Sequence, residues 1–184
     1  MWNPFKKKSV LLIPDYNSLV SSCLFDSNYD IITSGVCLKI LLNIERYSAV
    51  ELATKVPWYL IAALHYRESD LDFNTCLHNG DKLPGPTHNV PAGRGPFKSW
   101  EDAAIDALVM EKLPIQWTIQ SCLEFSEKYN GLGYRSHGCY SPYVWAGTSV
   151  YTGGLYIADD KFSSSKFDKR IGTACIIKKL TSAF

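Results

Sequence analysis

The sequence predicts an α+β fold that is mainly α-helical, with one small β-hairpin region beside a cleft. Three observations carry that expectation. Apolar residues recur at three- and four-residue steps over most of the chain. Prolines and Ser/Thr/Asp caps punctuate those runs at helix-like lengths. A strand-like pattern closed by a strong turn dipeptide occurs at residues 73–83.

Taken in order, Ile31, Ile32, Val36, Leu38, Ile40, Leu41 and Ile44 mark a helix that continues toward Lys55. Ser48-Ala49-Val50-Glu51 offers an alternative restart as a capping box. Val56-Pro57 ends it, because the residue before proline is pushed out of the helical region, and Pro57 suits the first turn of the next helix. Trp58 to Glu68 is apolar on every side until His65, the pattern of a buried helix. Phe73–His78 reads as a strand, Asn79-Gly80 as its turn, and Asp81-Lys82-Leu83 as the return. Residues 84–96, with four prolines and three glycines, form a loop. Ser99 with Asp102 caps a helix whose body is Ala103–Lys112. Pro114 breaks it and seeds another, with Ile115, Ile119, Cys122, Leu123 and Ser126 on one face and a stop near Gly131. Ser141-Pro142-Tyr143 starts a helical turn in a Tyr- and Gly-rich stretch, and Ser165 with Asp168 caps a last helix to about Leu180.

Composition bounds the function. With 184 residues, 46% hydrophobic, the chain can bury a core without staples. Nineteen basic against eighteen acidic side chains give no global pull on nucleic acid, so none is expected as a partner. The charge is uneven: residues 1–8 hold three lysines, residues 161–184 hold six bases and one acid, and the stretch between is acidic. Val10–Ile13 is too short for a signal core or a membrane span, so neither an export signal nor an integral membrane segment is expected. Six cysteines without a C-x-x-C pair read as free, mostly buried thiols. His65, His78, His88 and His137 have no zincin spacing, and no phosphate-binding glycine loop or G-x-S-x-G elbow occurs; no metal and no cofactor are expected. Residues 1–30 match no pattern and are read as an N-terminal extension to a domain of residues 31–184.

Glu68 is the most informative position. It closes an apolar helix where the chain turns irregular, so its carboxyl sits against apolar walls yet faces an opening. Desolvation there favours the neutral form, which could donate a proton near neutral pH. The competing reading is a solvated helix end paired with Arg67. Asp81 follows thirteen positions later, past the turn, and a hairpin folded back could set it across a cleft from Glu68. Paired carboxyls, one protonated and one activating water, are what inverting glycoside hydrolysis needs. His65 lies one helical turn before Glu68, suited to orienting or packing against it. Tyr129, Asn130, Tyr134, Tyr143 and Trp145, interleaved with glycines, could stack on sugars and bind their hydroxyl or N-acetyl groups; core packing would also explain them.

Pro57–Ser69, Leu77-His78-Asn79-Gly80-Asp81, Val90-Pro91-Ala92-Gly93, Trp100–Leu108, Tyr129-Asn130-Gly131 and Ser141–Trp145 together resemble single-domain phage endolysins of the lysozyme superfamily. A glutamate closing a buried helix, with a later Tyr-Asn-Gly, is also similar to goose-type lysozymes and soluble lytic transglycosylases. The resemblance implies a lysozyme-like fold and cleavage of peptidoglycan glycan strands between N-acetylmuramic acid and N-acetylglucosamine. It assigns Glu68 as the general acid, Asp81 as the water-positioning carboxylate, and Tyr129 and Asn130 as the substrate-binding pair; His65, Asn79, Tyr134, Tyr143 and Trp145 are expected to join them in substrate binding. It further implies a monomer that waits in the host cytoplasm and acts on the wall from the periplasm. A lytic transglycosylase using the same glutamate and a non-catalytic glycan-binding phage protein are the alternatives.

Overall fold

The computed structural model describes residues 11–181. Its centre is a helix, α4, and the elements are best placed by how they reach it. In chain order they are α1 (Tyr16–Ser22), α2 (Asp30–Leu41), α3 (Ile44–Thr54), α4 (Trp58–Ser69), α5 (Trp100–Val109), α6 (Ile119–Asn130), α7 (Gly133–Ser136), α8 (Pro142–Trp145) and α9 (Thr173–Thr181). One two-stranded antiparallel sheet, β1 (Leu155–Ala158) and β2 (Lys161–Ser163), completes them. The protein is thus mainly helical with a small sheet, as an α+β chain.

Leu60 through His65 have no exposed surface, because α4 packs on α3, α6 and α9 at once. Burying Leu60, Ile61 and Leu64 stabilises the fold by about 1.5–3 kcal/mol each. Pro57 caps α4 in an extended conformation, its carbonyl accepting from the amides of Leu60 and Ile61. Two successive left-handed residues, Asp70 (φ 53°) and Leu71 (φ 65°), end it. Asp takes that conformation readily and Leu does not. The stop therefore falls just beyond Glu68 and leaves it in the last turn.

Several expected elements are corrected. The helix expected from Ile31 to Lys55 is two helices, broken at Leu42-Asn43, where the Asn43 side-chain amide donates to the Lys39 carbonyl and the backbone N–H falls back to Ile40. The restart lies at Ile44 and not at Ser48. The turn at Asn79-Gly80 forms, with Gly80 at φ 76°, but its arms meet in a single bridge, Thr75 to Lys82, and the sheet proper lies at 155–163. There Tyr156 pairs with Phe162 across a turn that holds Asp160 left-handed. The sixth helix begins at Ile119, not Pro114: Thr118 and Ser121 form a reciprocal capping box, and Ile115 is fully exposed. The last helix begins at Thr173, not Ser165, because Asp168 is engaged elsewhere.

Residues 11–29 are packed on the rest. Tyr16 is buried, stacks on Trp145 and donates to the buried carboxylate of Glu127, which also accepts from Arg135 at 2.7 Å. Phe25 bridges Thr148, and the Asp26 amide donates to the Gly147 carbonyl. All six cysteines are free, four of them buried.

Candidate active site

Four segments converge on the end of α4. The hairpin turn is one: a side chain at Gly80 would begin 3.9 Å from the Glu68 carbonyl oxygen. α6 is the second, and its Tyr129 hydroxyl donates to the Leu77 carbonyl at 2.8 Å, tying the helix to the hairpin. α8 is the third, and its buried Tyr143 donates to Glu68 Oε1 at 2.7 Å. The loop before α9 is the fourth, through Arg67. Gly172 lets this loop lie against α8, since a Cβ there would fall 2.2 Å from the Val144 carbonyl oxygen.

Glu68 is half-buried. Burial pushes its carboxyl above the ordinary 4.5, against the opposing pull of the Tyr143 hydrogen bond and the positive charges of Arg67 and Arg170. Desolvation outweighs the three because the nearest donor is a neutral phenol and the nearest guanidinium is spent on another acid. Both phenols stay protonated: burial and then the Glu68 charge raise Tyr143 and Tyr129 well above 10. The arrangement is a single carboxyl, held by one fixed donor, that keeps a proton to higher pH than a solvated glutamate and has one open side.

Arg67 does not pair with Glu68. It is buried, its Nη2 donates to Asp168 Oδ2 at 2.7 Å and its Nη1 to the Ile171 carbonyl, and its guanidinium carbon lies 5.0 Å from the Tyr143 ring centre. Burial alone would raise the Asp168 carboxyl, but the charges of Arg67 and Arg170 and their hydrogen bonds hold it below the usual range.

Asp81 stands near the turn as a latch for the proline-rich loop. Its carboxylate accepts from the backbone amides of His88 (2.7 Å) and Asn89 (2.8 Å) and from the Asn89 side chain. Those bonds, the Asn89 amide foremost, hold it below the usual carboxylate range. Asn79 serves the same loop, donating to the Asn89 carbonyl at 3.0 Å. The loop's far end is held at Asp106, which accepts from Arg94 and pairs with His78 at 2.9 Å.

The remaining candidates separate. His65 is corrected from ligand contact to core: fully enclosed, it bonds the Tyr47 hydroxyl through Nδ1 at 3.0 Å and packs on Trp100 and Phe73. Burial pushes its imidazole down to about 4, so it is neutral at physiological pH. Trp145 is likewise core, under Tyr16. Tyr134 is buried against Tyr156 and Phe162, away from substrate contact. Asn130 is exposed at the end of α6. The role of Tyr143 as the donor to Glu68, and the Arg67–Asp168–Arg170 cluster, were not legible as site features; the only hint was an arginine inside an otherwise apolar helix.

A separate cavity of about 740 Å³ opens between α2 and α9, lined by Phe25, Tyr29, Asp30, Lys178 and Lys179 among others, and Glu68 does not line it. Its charges are internally matched: Lys179 pairs with Asp30 at 3.0 Å and Lys178 sits 3.9 Å over the Phe25 ring. Among the described residues no three His, Cys, Asp or Glu gather as metal ligands, and no helix is long and apolar enough to cross a membrane. No protein-family model, curated protein or solved structure matches the chain.

Proposed function

We propose that the protein is a peptidoglycan-cleaving glycosidase, a muramidase of lysozyme-like fold in which Glu68 is the general acid. The observation that carries this reading is the Glu68 carboxyl: at the end of a largely apolar helix, raised by desolvation above the ordinary glutamate range, and aimed by Tyr143. An acid so placed protonates the glycosidic oxygen between N-acetylmuramic acid and N-acetylglucosamine as positive charge builds on the anomeric carbon. The endolysin role, with release from the host cytoplasm to the wall, belongs to the same proposal and rests on the motif resemblance.

One observation favours a second outcome at the same acid. The oxygens of Asp81 are occupied by loop donors. A carboxylate so engaged is poorly placed to activate water, and closure of the muramic 6-hydroxyl on the anomeric carbon would then give an anhydro product, the lytic transglycosylase outcome.

Glu68→Gln tests the proposal. Loss of general-acid catalysis should slow clearing of cell-wall suspensions by about 100-fold or more. Clearing at the parent rate would remove Glu68 from the chemistry, whereas a parent that binds walls without clearing them would leave glycan binding without turnover. Mass analysis of the parent's digest distinguishes the two outcomes, since anhydro products are short by one water.

A further inference from the structure

We infer that Asp168 is a positioning residue for Glu68: it clamps the two cations nearest the acid, holding Arg67 against the Tyr143 ring and Arg170 on the Arg67 carbonyl of α4. The inference rests on Glu68 being the acid of the proposed reaction. Asp168 is buried and accepts from Arg67 Nη2 (2.7 Å), from the Arg170 amide (2.9 Å) and from Arg170 Nε and Nη2 (3.3 and 3.2 Å). Arg170 Nη1 in turn donates to the Arg67 carbonyl at 3.3 Å. Its own backbone is fixed too: the Asp168 amide donates to the Tyr151 hydroxyl, which donates to the Gly154 carbonyl.

Two effects follow at Glu68, one geometric and one electrostatic. Arg67 lies between Asp168 and the Tyr143 ring, so the clamp determines where the Tyr143 hydroxyl meets Glu68. The groups facing Glu68 are Arg67 on its own helix, Tyr143 on α8, Tyr129 on α6 and Arg170 on the loop before α9; the turn contributes uncharged Gly80. The only ionised neighbours are therefore two cations, and Asp168 is the anion that offsets both. Without it, their unbalanced charge would favour the ionised, non-donating form of the acid.

Carboxyl-carbon NMR of the full chain reads Glu68 without substrate, its resonance being identified by its absence in Glu68→Gln. Asp168→Asn should lower the Glu68 midpoint by about one pH unit, and the alkaline limb of wall-clearing kcat/KM should move with it. Asp168→Glu, which keeps the charge, should return the midpoint toward the parent. A folded Asp168→Asn protein that loses activity equally at every pH, with its midpoint unmoved, overturns the inference. Where Asp168→Asn alone does not fold, Arg67→Gln removes the orphaned guanidinium. In that background Asp168→Asn should still lower the midpoint through Arg170, and no difference overturns the inference. If the parent never cleaves walls, the proposed function falls, while the titration still decides the clamp.

Discussion

Tyr143→Phe isolates the bond that aims the acid. The ring is buried and stays in place; only the hydroxyl 2.7 Å from Glu68 Oε1 is removed. A hydrogen bond to a charged group contributes about 1.5–3 kcal/mol. Because Glu68 is half-buried and water can replace part of the loss, the lower end applies, about 1.5 kcal/mol. That corresponds to about a tenfold fall in kcat/KM at acidic pH, where Glu68 is protonated in both proteins. The same bond favours the ionised carboxyl, so its loss should move the alkaline limb to higher pH. The variant should thus be slower at its optimum yet hold activity further into alkali. Clearing rates measured over a pH series, with a melting curve to establish folding, read both effects. A limb that moves to lower pH, or a profile identical to the parent's, would refute the assignment of Tyr143 as the donor that orients Glu68.

Three other substitutions test the frame around the site. Tyr16→Phe keeps the stack on Trp145 but removes a buried bond to the Glu127 carboxylate, which should cost about 1.5–3 kcal/mol and lower the melting temperature by several degrees. An unchanged melting temperature would mean that this bond adds no stability. Gly172→Ala should cost about 3 kcal/mol, because its methyl group would overlap the Val144 carbonyl and push α8 away from the loop before α9; a soluble variant with parental stability and activity would contradict that packing. Asp81→Asn keeps one acceptor oxygen but loses the charge that binds the 88–89 amides. It should loosen the loop, seen as faster hydrogen exchange at His88 and Asn89, and raise KM more than it lowers kcat. A loss confined to kcat would instead make Asp81 a partner in the chemistry.

What could be read from sequence depended on how far away the cause lay. Pro57, Ser99 and Gly131 act on their own neighbours, and the helix ends they mark are where they were expected. The enclosure of Glu68 was legible for the same reason: eight of the ten residues before it in its helix are apolar or aromatic, and they lead to a desolvated end. Ser165 and Asp168 carry a good local capping pattern, yet Asp168 binds Arg67, 101 positions away, and the helix waits until Thr173. A buried ion pair outcompetes a surface cap because an unpaired buried guanidinium would cost about 3–5 kcal/mol and a lost cap about 1. His65 and Trp145 misled in the opposite direction: polar-tipped rings look like ligand contacts until packing encloses them.

The same competition bears on mechanism. Of the acidic groups around the cleft, Asp81 is committed to the proline-rich loop, Asp106 to His78 and Arg94, and Asp168 to its two arginines. Each commitment lowers that carboxyl's affinity for a proton. Glu68 alone is held by a single neutral donor, and it alone among them is raised. Acid strength in this protein is therefore assigned by partner: a guanidinium or a set of amides makes a carboxylate a structural anion, and a phenol in an apolar wall leaves it a proton donor. A centre with one such donor protonates a leaving group readily, and whatever attacks the anomeric carbon must come from solvent or from the substrate's own hydroxyl.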